Sequence, residues 1–381
     1  MKDFIIISGL DFYDNNRGTA ALGYGSIGFL ENEGYLSSDT IIVKFKHIHK
    51  NFFCKARHIK KDVISTEHNK YNYWEVPTSR LERKLLQYLN VLLPNSVFST
   101  IIDNCKFIAA LNGGDGFSDI YGTEIFQSRL VDSKIAMIRN IPLVIMPQTI
   151  GPFKNAFCWA LALRILKYAK KIYIRDDKCV KKLEEHNLAY ELKKDLSFYM
   201  RPKVVDIPLK TNAVGINVSG LAYSNNFCGL EGQFTNYKHL VLLIIKKFQS
   251  LGVSIYLIPH SYNYNIPEKN NDDLLACKSI IESLDNKSNV QVINQDLTAP
   301  ELKYVISQMS YFIGTRMHAN FASIFTGVPL YGLAYSYKFE GAFRLNGVYD
   351  DNISQINNIS LGDCDMIVNA IISHYTKKCI I

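Results

Sequence analysis

Short, branched apolar runs alternate with stretches of helical periodicity from one end of the chain to the other. In the first half, Ile5–Ser8, Phe107–Leu111, Leu143–Met146 and Lys171–Ile174 predict buried strands. Helices are expected from about Ala20, over Ser79–Leu93, over roughly Thr123–Arg139 and over Phe157–Ala169. Ser79 and Glu82 stand at capping-box spacing, Leu85, Leu89 and Leu92 share one face, and Pro94 supplies a stop. The second half repeats the logic with strands at Ala213–Val218, Val253–Ile258, Val290–Val292, Tyr311–Ile313 and Val328–Leu333. Its helices are Lys238–Leu251, capped by Gly252, then Leu274–Leu284, Ala299–Gln308 and a small-residue helix after His318. Thr298 and Glu301 open the third of these with another capping box.

Such alternation implies parallel sheets with helices on both faces. Two series of it imply an α/β fold of two Rossmann-like domains facing a cleft. Pro202–Lys210 holds two prolines and no periodic pattern, so the boundary is expected there. That gives an N-terminal domain over 1–203, a second over 204–360, and a C-terminal helix within 361–381, about Asp363–Lys377, packing back across the hinge.

Composition narrows the classes. A chain of 381 residues exceeds one compact core, and 48% hydrophobic with 20% charged residues is an ordinary globular balance. Lys and Arg number 43 against 35 Asp and Glu, a net +8 that suits anionic ligands such as phosphates or acidic glycans. No dense basic stripe with a reading motif argues for nucleic acid. Lys44–Lys61 carries Lys44, Lys46, Lys50, Lys55, Arg57, Lys60 and Lys61 with His47, His49 and His58, and no acid. It reads as a solvated loop, the alternative being contact with an anionic acceptor or a membrane surface. The run Phe4–Leu10 is too short to span a bilayer and lacks a cleavage site, so it reads as a first buried strand. The eight cysteines are scattered and show no CxxC spacing, which suggests reduced thiols, a cytoplasmic location and no metal site.

Ligands of parallel sheets bind beyond the carboxyl ends of the strands, and here those positions are rich in Gly, His, Arg and Asp. Gly314-Thr315-Arg316-Met317-His318 is the strongest: free N–H groups at a helix start, a forked donor in Arg316, and a proton donor in His318. Pro259-His260-Ser261 ends another strand, and Asp272-Asp273 follow at a loop–helix junction, either as caps or as functional acids. In the first half, Gly113-Gly114-Asp115-Gly116 allows close backbone approach, Arg175 follows a strand, and Asn16-Arg17-Gly18 fills the first turn.

Taken in order, these loops resemble the polysaccharide pyruvyl transferase family. Asn16-Arg17-Gly18 is similar to its amino-terminal Asn/Gly loop, with Thr19 where an Asp is usual. Gly113–Gly116 resembles its glycine loop, Gln148-Thr149-Ile150-Gly151-Pro152 its Gln-x-Ile-Gly-Pro turn, and Ile174-Arg175-Asp176-Asp177 its Arg-Asp motif. Asp195-Leu196-Ser197-Phe198 resembles a weakened Asp-Pro-Ala-Phe, and Pro259-His260-Ser261 with Asp272 the family's His…Asp block. The most specific part is Gly314–His318 with Gly327-Val328-Pro329 and Tyr335-Ser336-Tyr337-Lys338.

The resemblance implies a GT-B-like fold and transfer of a pyruvyl group from phosphoenolpyruvate to a glycan sugar, giving a cyclic ketal and phosphate. It places Arg316 as a phosphoenolpyruvate ligand, with Arg175, Gly314, Met317, His318 and Lys338 on the donor side. His318 is the expected acid, helped by Arg316, with Lys338 neutralising the leaving phosphate. Asn16, Arg17, Gly114, Asp115, His260 and Asp272 form the expected acceptor side. Phosphoenolpyruvate is the co-substrate, and the scheme needs no metal or organic cofactor. The acceptor is a lipid-linked, nucleotide-linked or polymeric glycan, with contact at the inner membrane surface left open. The alternatives are a GT-B nucleotide-sugar glycosyltransferase and a non-catalytic glycan-binding protein.

Overall fold

The computed structural model describes residues 3–47, 58–66, 68–93, 97–335, 343–346, 348 and 352–379. Packing divides the chain into two compact units, Met1–Asp11 with Leu22–Tyr199, and Phe12–Ala21 with Met200–Ile381.

The first unit is built on an eight-stranded sheet. Its strands are β1 (Asp3–Ile7), β2 (Thr40–His47), β3 (Lys60–Ser65), β4 (Lys70–Thr78), β5 (Cys105–Ala110), β6 (Leu143–Gln148), β7 (Lys171–Ile174) and β8 (Glu191–Leu192). The order is β3-β4-β2-β1-β5-β6-β7-β8, parallel throughout except for the β3–β4 pair. Its helices are α1 (Arg17–Asn32), whose first residues count with the second unit, α2 (Arg80–Lys84), α3 (Val97–Asp103), α4 (Thr123–Arg129), α5 (Val131–Arg139), α6 (Ala156–Tyr168) and α7 (Val180–Glu185). The central strands are buried on both faces, as parallel sheets require. Ile6, Val43, Ile108 and Ile145 pack with Ile135 of α5 and Ile165 of α6.

Three departures from the sequence pattern have local causes. The helix expected over Ser79–Leu93 begins with the Ser79–Glu82 capping box but widens into a π-turn over Leu85–Leu89. It stops at Asn90, whose φ of 54° is a left-handed conformation that Asn tolerates. The Thr123–Arg139 helix is broken at Leu130 into α4 and α5. The Lys44–Lys61 stretch is not simply a loop: Lys44 and Lys46 lie on β2, and Lys60 and Lys61 on β3, an edge strand where lysine discourages further pairing. Lys44 meets Asp11 at 3.5 Å, Lys46 meets Glu75 at 2.8 Å, and Lys61 lies over the Trp74 ring. The middle of that stretch, including Lys50, Lys55, Arg57 and His49, lies outside the described residues.

The second unit carries a six-stranded parallel sheet in the order β11-β10-β9-β12-β13-β14. The strands are β9 (Val214–Asn217), β10 (Ile255–Leu257), β11 (Val290–Val292), β12 (Tyr311–Gly314), β13 (Leu330–Ala334) and β14 (Ile353–Gln355). Its helices are α8 (Gly220–Ser224), α9 (Tyr237–Ser250), α10 (Asp273–Glu282), α11 (Ala299–Ser307), α12 (Met317–Ile324) and α13 (Leu361–Cys379). Strand alternation divides the core. Val214, Ile216 and Ile313 face Ile244 and Phe248 of α9 and Ile371 of α13. Tyr256 and Phe312 face Leu302 and Ile306 of α11 and Phe321 of α12. Each such fully buried side chain contributes about 1.5–3 kcal/mol, which is what fixes the strand ends where the loops begin. The C-terminal helix α13 lies on α9 and β12, with Phe248 and Tyr375 rings 5.1 Å apart and the Tyr311 hydroxyl 2.8 Å from His374 Nδ1.

The described cysteines are free thiols. Burial pushes Cys105 and Cys179 up to about 12, so both stay protonated and unreactive at neutral pH.

Candidate functional site

The loop between β12 and α12 is shaped by close packing. A Cβ on Gly314 would sit 2.1 Å from Asn320 Oδ1, so only glycine lets the chain turn there. Thr315 is fully buried and bonds the Tyr237 hydroxyl at 2.8 Å. Arg316 takes the N-cap position of α12, and its N–H donates to Asn217 Oδ1 at the end of β9, 2.8 Å away.

The Arg316 guanidinium is buried and held along one edge. Nη2 donates to Asp273 Oδ1 at 2.7 Å and to Asn271 Oδ1 at 2.7 Å, and Nε donates to Asp273 at 3.2 Å. Burial opposes its charge, but Asp273 and the Tyr335 hydroxyl more than offset this, and its pKa is raised. Asp273 is fully buried and also accepts from the N–H groups of Gly220 at 2.7 Å, His260 at 3.0 Å and Ser261 at 2.9 Å. One carboxylate thus ties together the loops after β9, β10 and β12. A buried pair of this kind is costly to break, because it leaves an uncompensated charge.

His260 and His318 are brought to the same place. His260 ends the β10 loop and is 4% exposed. Burial holds its pKa well below 6.5, aided by the positive charges of His318, Arg316 and Arg17, so its imidazole is neutral at pH 7. His318 lies in the first turn of α12, edge-on to Phe321 at 5.7 Å. Its ring rests on the backbone of Gly18: a Cβ there would be 2.6 Å from Nδ1 and 2.9 Å from Cγ. Gly18 is in the first turn of α1, so two helix N-termini meet at this imidazole.

Sequence order assigned Asn16 and Arg17 to the first domain, on the acceptor side. The segment Phe12–Ala21 instead packs with the second unit, against the histidine loops. Asn16 bridges Ser261, the Arg17 N–H donates to the His260 carbonyl at 3.0 Å, and the Tyr262 N–H donates to the Asn15 carbonyl at 3.0 Å. The Arg17 side chain is spent on protein partners. It meets Asp296 at 2.9 Å, the carbonyls of Leu297 at 2.7 Å and Asp14 at 2.9 Å, and the Tyr262 ring at 4.4 Å. Asp272 is likewise committed. Oδ1 caps α10 through Leu275 N at 3.0 Å, and Oδ2 accepts from Asn263 N at 3.0 Å and Glu268 N at 3.3 Å.

In the first unit the structure gathers Gly114, Thr149, Arg175, Asp176 and Asp195. Gly114 has φ 82°, and a Cβ on it would meet Arg175 Nη1 at 2.9 Å. Arg175 Nη1 donates to Asp195 Oδ2 at 2.6 Å and Nε to Thr149 Oγ1 at 3.1 Å. Thr149 N donates to the Gly114 carbonyl at 2.7 Å, and its hydroxyl donates to Asp176. Ser197 hydrogen-bonds Asp195 through both its N–H and its hydroxyl. Asp115 accepts from the Tyr121 hydroxyl at 3.0 Å.

The expected residues therefore fall into two sets. Asn16, Arg17, His260, Asp272, Gly314, Arg316, Met317 and His318 share the second unit, and Gly114, Asp115 and Arg175 share the first. Lys338 lies outside the described residues. Pattern reading missed Asp273 as the partner of Arg316, with Asn217, Asn271 and Tyr335 around it, and Gly18 as the seat of His318. A signal was present in the tandem Asp272-Asp273: a capping residue leaves its successor inside the first turn. Among the described residues, no group of three or more His, Cys, Asp or Glu is placed to hold a metal ion.

A family model, polysaccharide pyruvyl transferase, matches residues 16–337. The amylovoran biosynthesis protein AmsJ of Erwinia amylovora is 20% identical over 282 residues, covering 70% of this chain and 65% of that protein, just under two thirds of its length. Among solved structures, the chain is similar to a putative UDP-N-acetylglucosamine 2-epimerase of Listeria monocytogenes, with TM-score 0.55 and 9% identity over 99% of this chain and 90% of that one. The UDP-GlcNAc 2-epimerase of Neisseria meningitidis bound to UDP-GlcNAc gives 0.52 and 12% over 99% and 91%. The E. coli trehalose-6-phosphate structure bound with UDP-2-fluoro glucose gives 0.51 and 11% over 98% and 91%. These likenesses show the α/β, GT-B-like fold expected from the alternating pattern. With the family model spanning the loops from Asn16 to Tyr337, the chain belongs to the polysaccharide pyruvyl transferase family.

Proposed function

We propose that the protein transfers the pyruvyl group of phosphoenolpyruvate to two hydroxyls of a glycan sugar, forming a cyclic ketal and releasing phosphate. The observation that carries this reading is the meeting of a buried arginine, Arg316, with the His260–His318 pair at the N-terminus of α12. A helix start and a guanidinium together suit a small, doubly anionic donor. Asp273, Asn271 and the Tyr335 hydroxyl fix the guanidinium at the start of α12, so that its charge is offered to the anion in a set orientation. Met317 and Gly314 shape the turn that carries it. In the first unit, Arg175 is the proposed cation for an anionic substrate group, with Gly114 and Asp115 beside the acceptor.

His318, as imidazolium, donates a proton to the methylene carbon, and the adjacent carbon becomes electrophilic. One sugar hydroxyl attacks it, passing its proton to the neutral imidazole of His260. The second hydroxyl then displaces phosphate, and its proton leaves with the phosphate. His260 suits the accepting role because burial and neighbouring cations keep it unprotonated. Arg17 and Asp272, committed to protein partners, hold the loops that position the histidines. The family and the biosynthetic role in the relative's name support a glycan acceptor.

Purified protein incubated with phosphoenolpyruvate and candidate glycans tests this by phosphate release. The rival reading, a nucleotide-sugar glycosyltransferase, rests on the fold shared with proteins solved with UDP-sugar ligands. UDP release from a UDP-sugar, with no phosphate from phosphoenolpyruvate, would establish it instead.

A further inference from the structure

One face of the first unit combines large exposed apolar side chains with cations, and of these the site described above touches only Tyr121, through Asp115. Tyr88, Leu89 and Val91 project from the π-turn and the residues after it, Tyr121 and Ile125 from the start of α4, and Phe157 from the start of α6. Leu89 is 65% exposed and Phe157 58%. The three elements are contiguous. The Tyr88 hydroxyl donates to Glu124 at 3.1 Å, Gln87 Nε2 donates to the Glu124 carbonyl at 3.4 Å, and Cys158 Sγ meets Thr123 Oγ1 at 3.6 Å. A soluble surface scatters such side chains singly, so their gathering on three packed elements marks an interaction site.

The charges identify the partner. Lys84 and Arg80 are exposed and stand one and two turns before Tyr88 on the same stripe, and Lys154 is exposed just ahead of α6. Arg129 lies over the Tyr121 ring at 4.9 Å. Among the described residues of α2, the π-turn, α4 and α6, Glu124 is the one exposed acid, and it is engaged by Tyr88. Aromatic and aliphatic side chains ringed by Lys and Arg are the composition of an interfacial membrane contact. The face also lies at the carboxyl ends of the strands. α4 and α6 both begin there, and the Tyr121 hydroxyl donates to Asp115 of the glycine loop at 3.0 Å.

We propose that this face docks on an anionic lipid bilayer. The apolar side chains enter the headgroup region, and Arg80, Lys84 and Lys154 pair with lipid phosphates. Docking brings the Gly113–Gly116 loop to the membrane, where a lipid-linked sugar is presented. It does not depend on the donor chemistry, so vesicle binding and phosphate release fail separately.

The test is co-sedimentation of the full chain with vesicles of phosphatidylcholine alone or mixed with phosphatidylglycerol. The wild type is expected to bind the mixed vesicles and to leave pure phosphatidylcholine largely unbound. Leu89→Asp with Ile125→Asp should abolish binding, while Arg80→Glu with Lys84→Glu should weaken it by about tenfold or more, at roughly 1 kcal/mol per basic residue near the surface. These positions are exposed, so melting temperatures should hold. Val204→Asp with Ile266→Asp, exposed apolar positions of the second unit, is the control and should bind as wild type. No binding to the mixed vesicles overturns the proposal, as does binding retained by Leu89→Asp with Ile125→Asp. Concentration-dependent self-association that this double variant removes, without any vesicle binding, would assign the face to a second copy of the chain and equally overturn it.

Discussion

Gly18→Ala is the sharpest perturbation of the site, because it adds one carbon at a known place. The new Cβ would lie 2.6 Å from His318 Nδ1, 2.9 Å from Cγ and 3.0 Å from Asn16 Oδ1. The closest approach is about 0.8 Å short of an ordinary contact, so the imidazole or the start of α1 must give way. Overpacking of this size costs about 1–3 kcal/mol, partly offset by the better helix propensity of alanine, about 1 kcal/mol at most. Fold stability should fall by about 2 kcal/mol at most, which leaves the protein folded. Turnover should fall further than that, because a misplacement near 1 Å costs on the order of 100-fold in rate. The assay is phosphate release from phosphoenolpyruvate at saturating acceptor, with thermal melting in parallel. The expected result is a fall in kcat of about 10–100-fold in a protein that still melts cooperatively, lowered by about 8 °C at most. Wild-type kcat in a folded Gly18→Ala protein would refute the idea that His318 acts from its seat on Gly18.

Three further outcomes follow from the same geometry. Asp273→Asn should cost about 3–5 kcal/mol in denaturant unfolding, since it strips the charge from a buried pair and turns an amide toward backbone N–H groups; an unchanged midpoint would contradict the knot described above. Arg17→Ala should destabilise by about 1–3 kcal/mol without a selective rise in acceptor KM; a large KM effect at unchanged stability would make it a ligand rather than a clamp. His260 binds its proton less readily folded than unfolded, so its contribution is fully present above pH 6.5 and is lost as pH falls toward the lower folded value. The melting temperature should therefore drop below that pH more steeply in wild type than in His260→Asn, and equal slopes would count against a buried neutral histidine.

Much of the fold was legible because period and capping agree. The capping boxes at Ser79–Glu82 and Thr298–Glu301 are present, and α9 runs Tyr237–Ser250, ending before Gly252, which sits at φ 72°. The run Thr40–Phe45 was hidden by the cations that follow it, although its buried Ile41, Ile42 and Val43 make it a central strand. At the site, sequence order brought out Arg316 and His318, because a strand end and a helix start flank them. It could not show that residues 12–21 leave their neighbours to join the second unit, since that depends on contacts made by Arg17 with residues 280 positions away. Nor could it divide the work between Asp272 and Asp273. Both are buried, adjacent positions at a helix start differ by a large rotation, and only packing decides which one reaches Arg316.

The most direct test of pyruvyl transfer is the reaction itself, followed at both products. Wild-type protein with phosphoenolpyruvate and a glycan acceptor should release one phosphate for each sugar that gains a pyruvate ketal, read by mass spectrometry, and His318→Ala and Arg316→Ala should abolish both signals. Phosphate release undiminished in His318→Ala, or a UDP-sugar consumed while phosphoenolpyruvate is untouched, would contradict it.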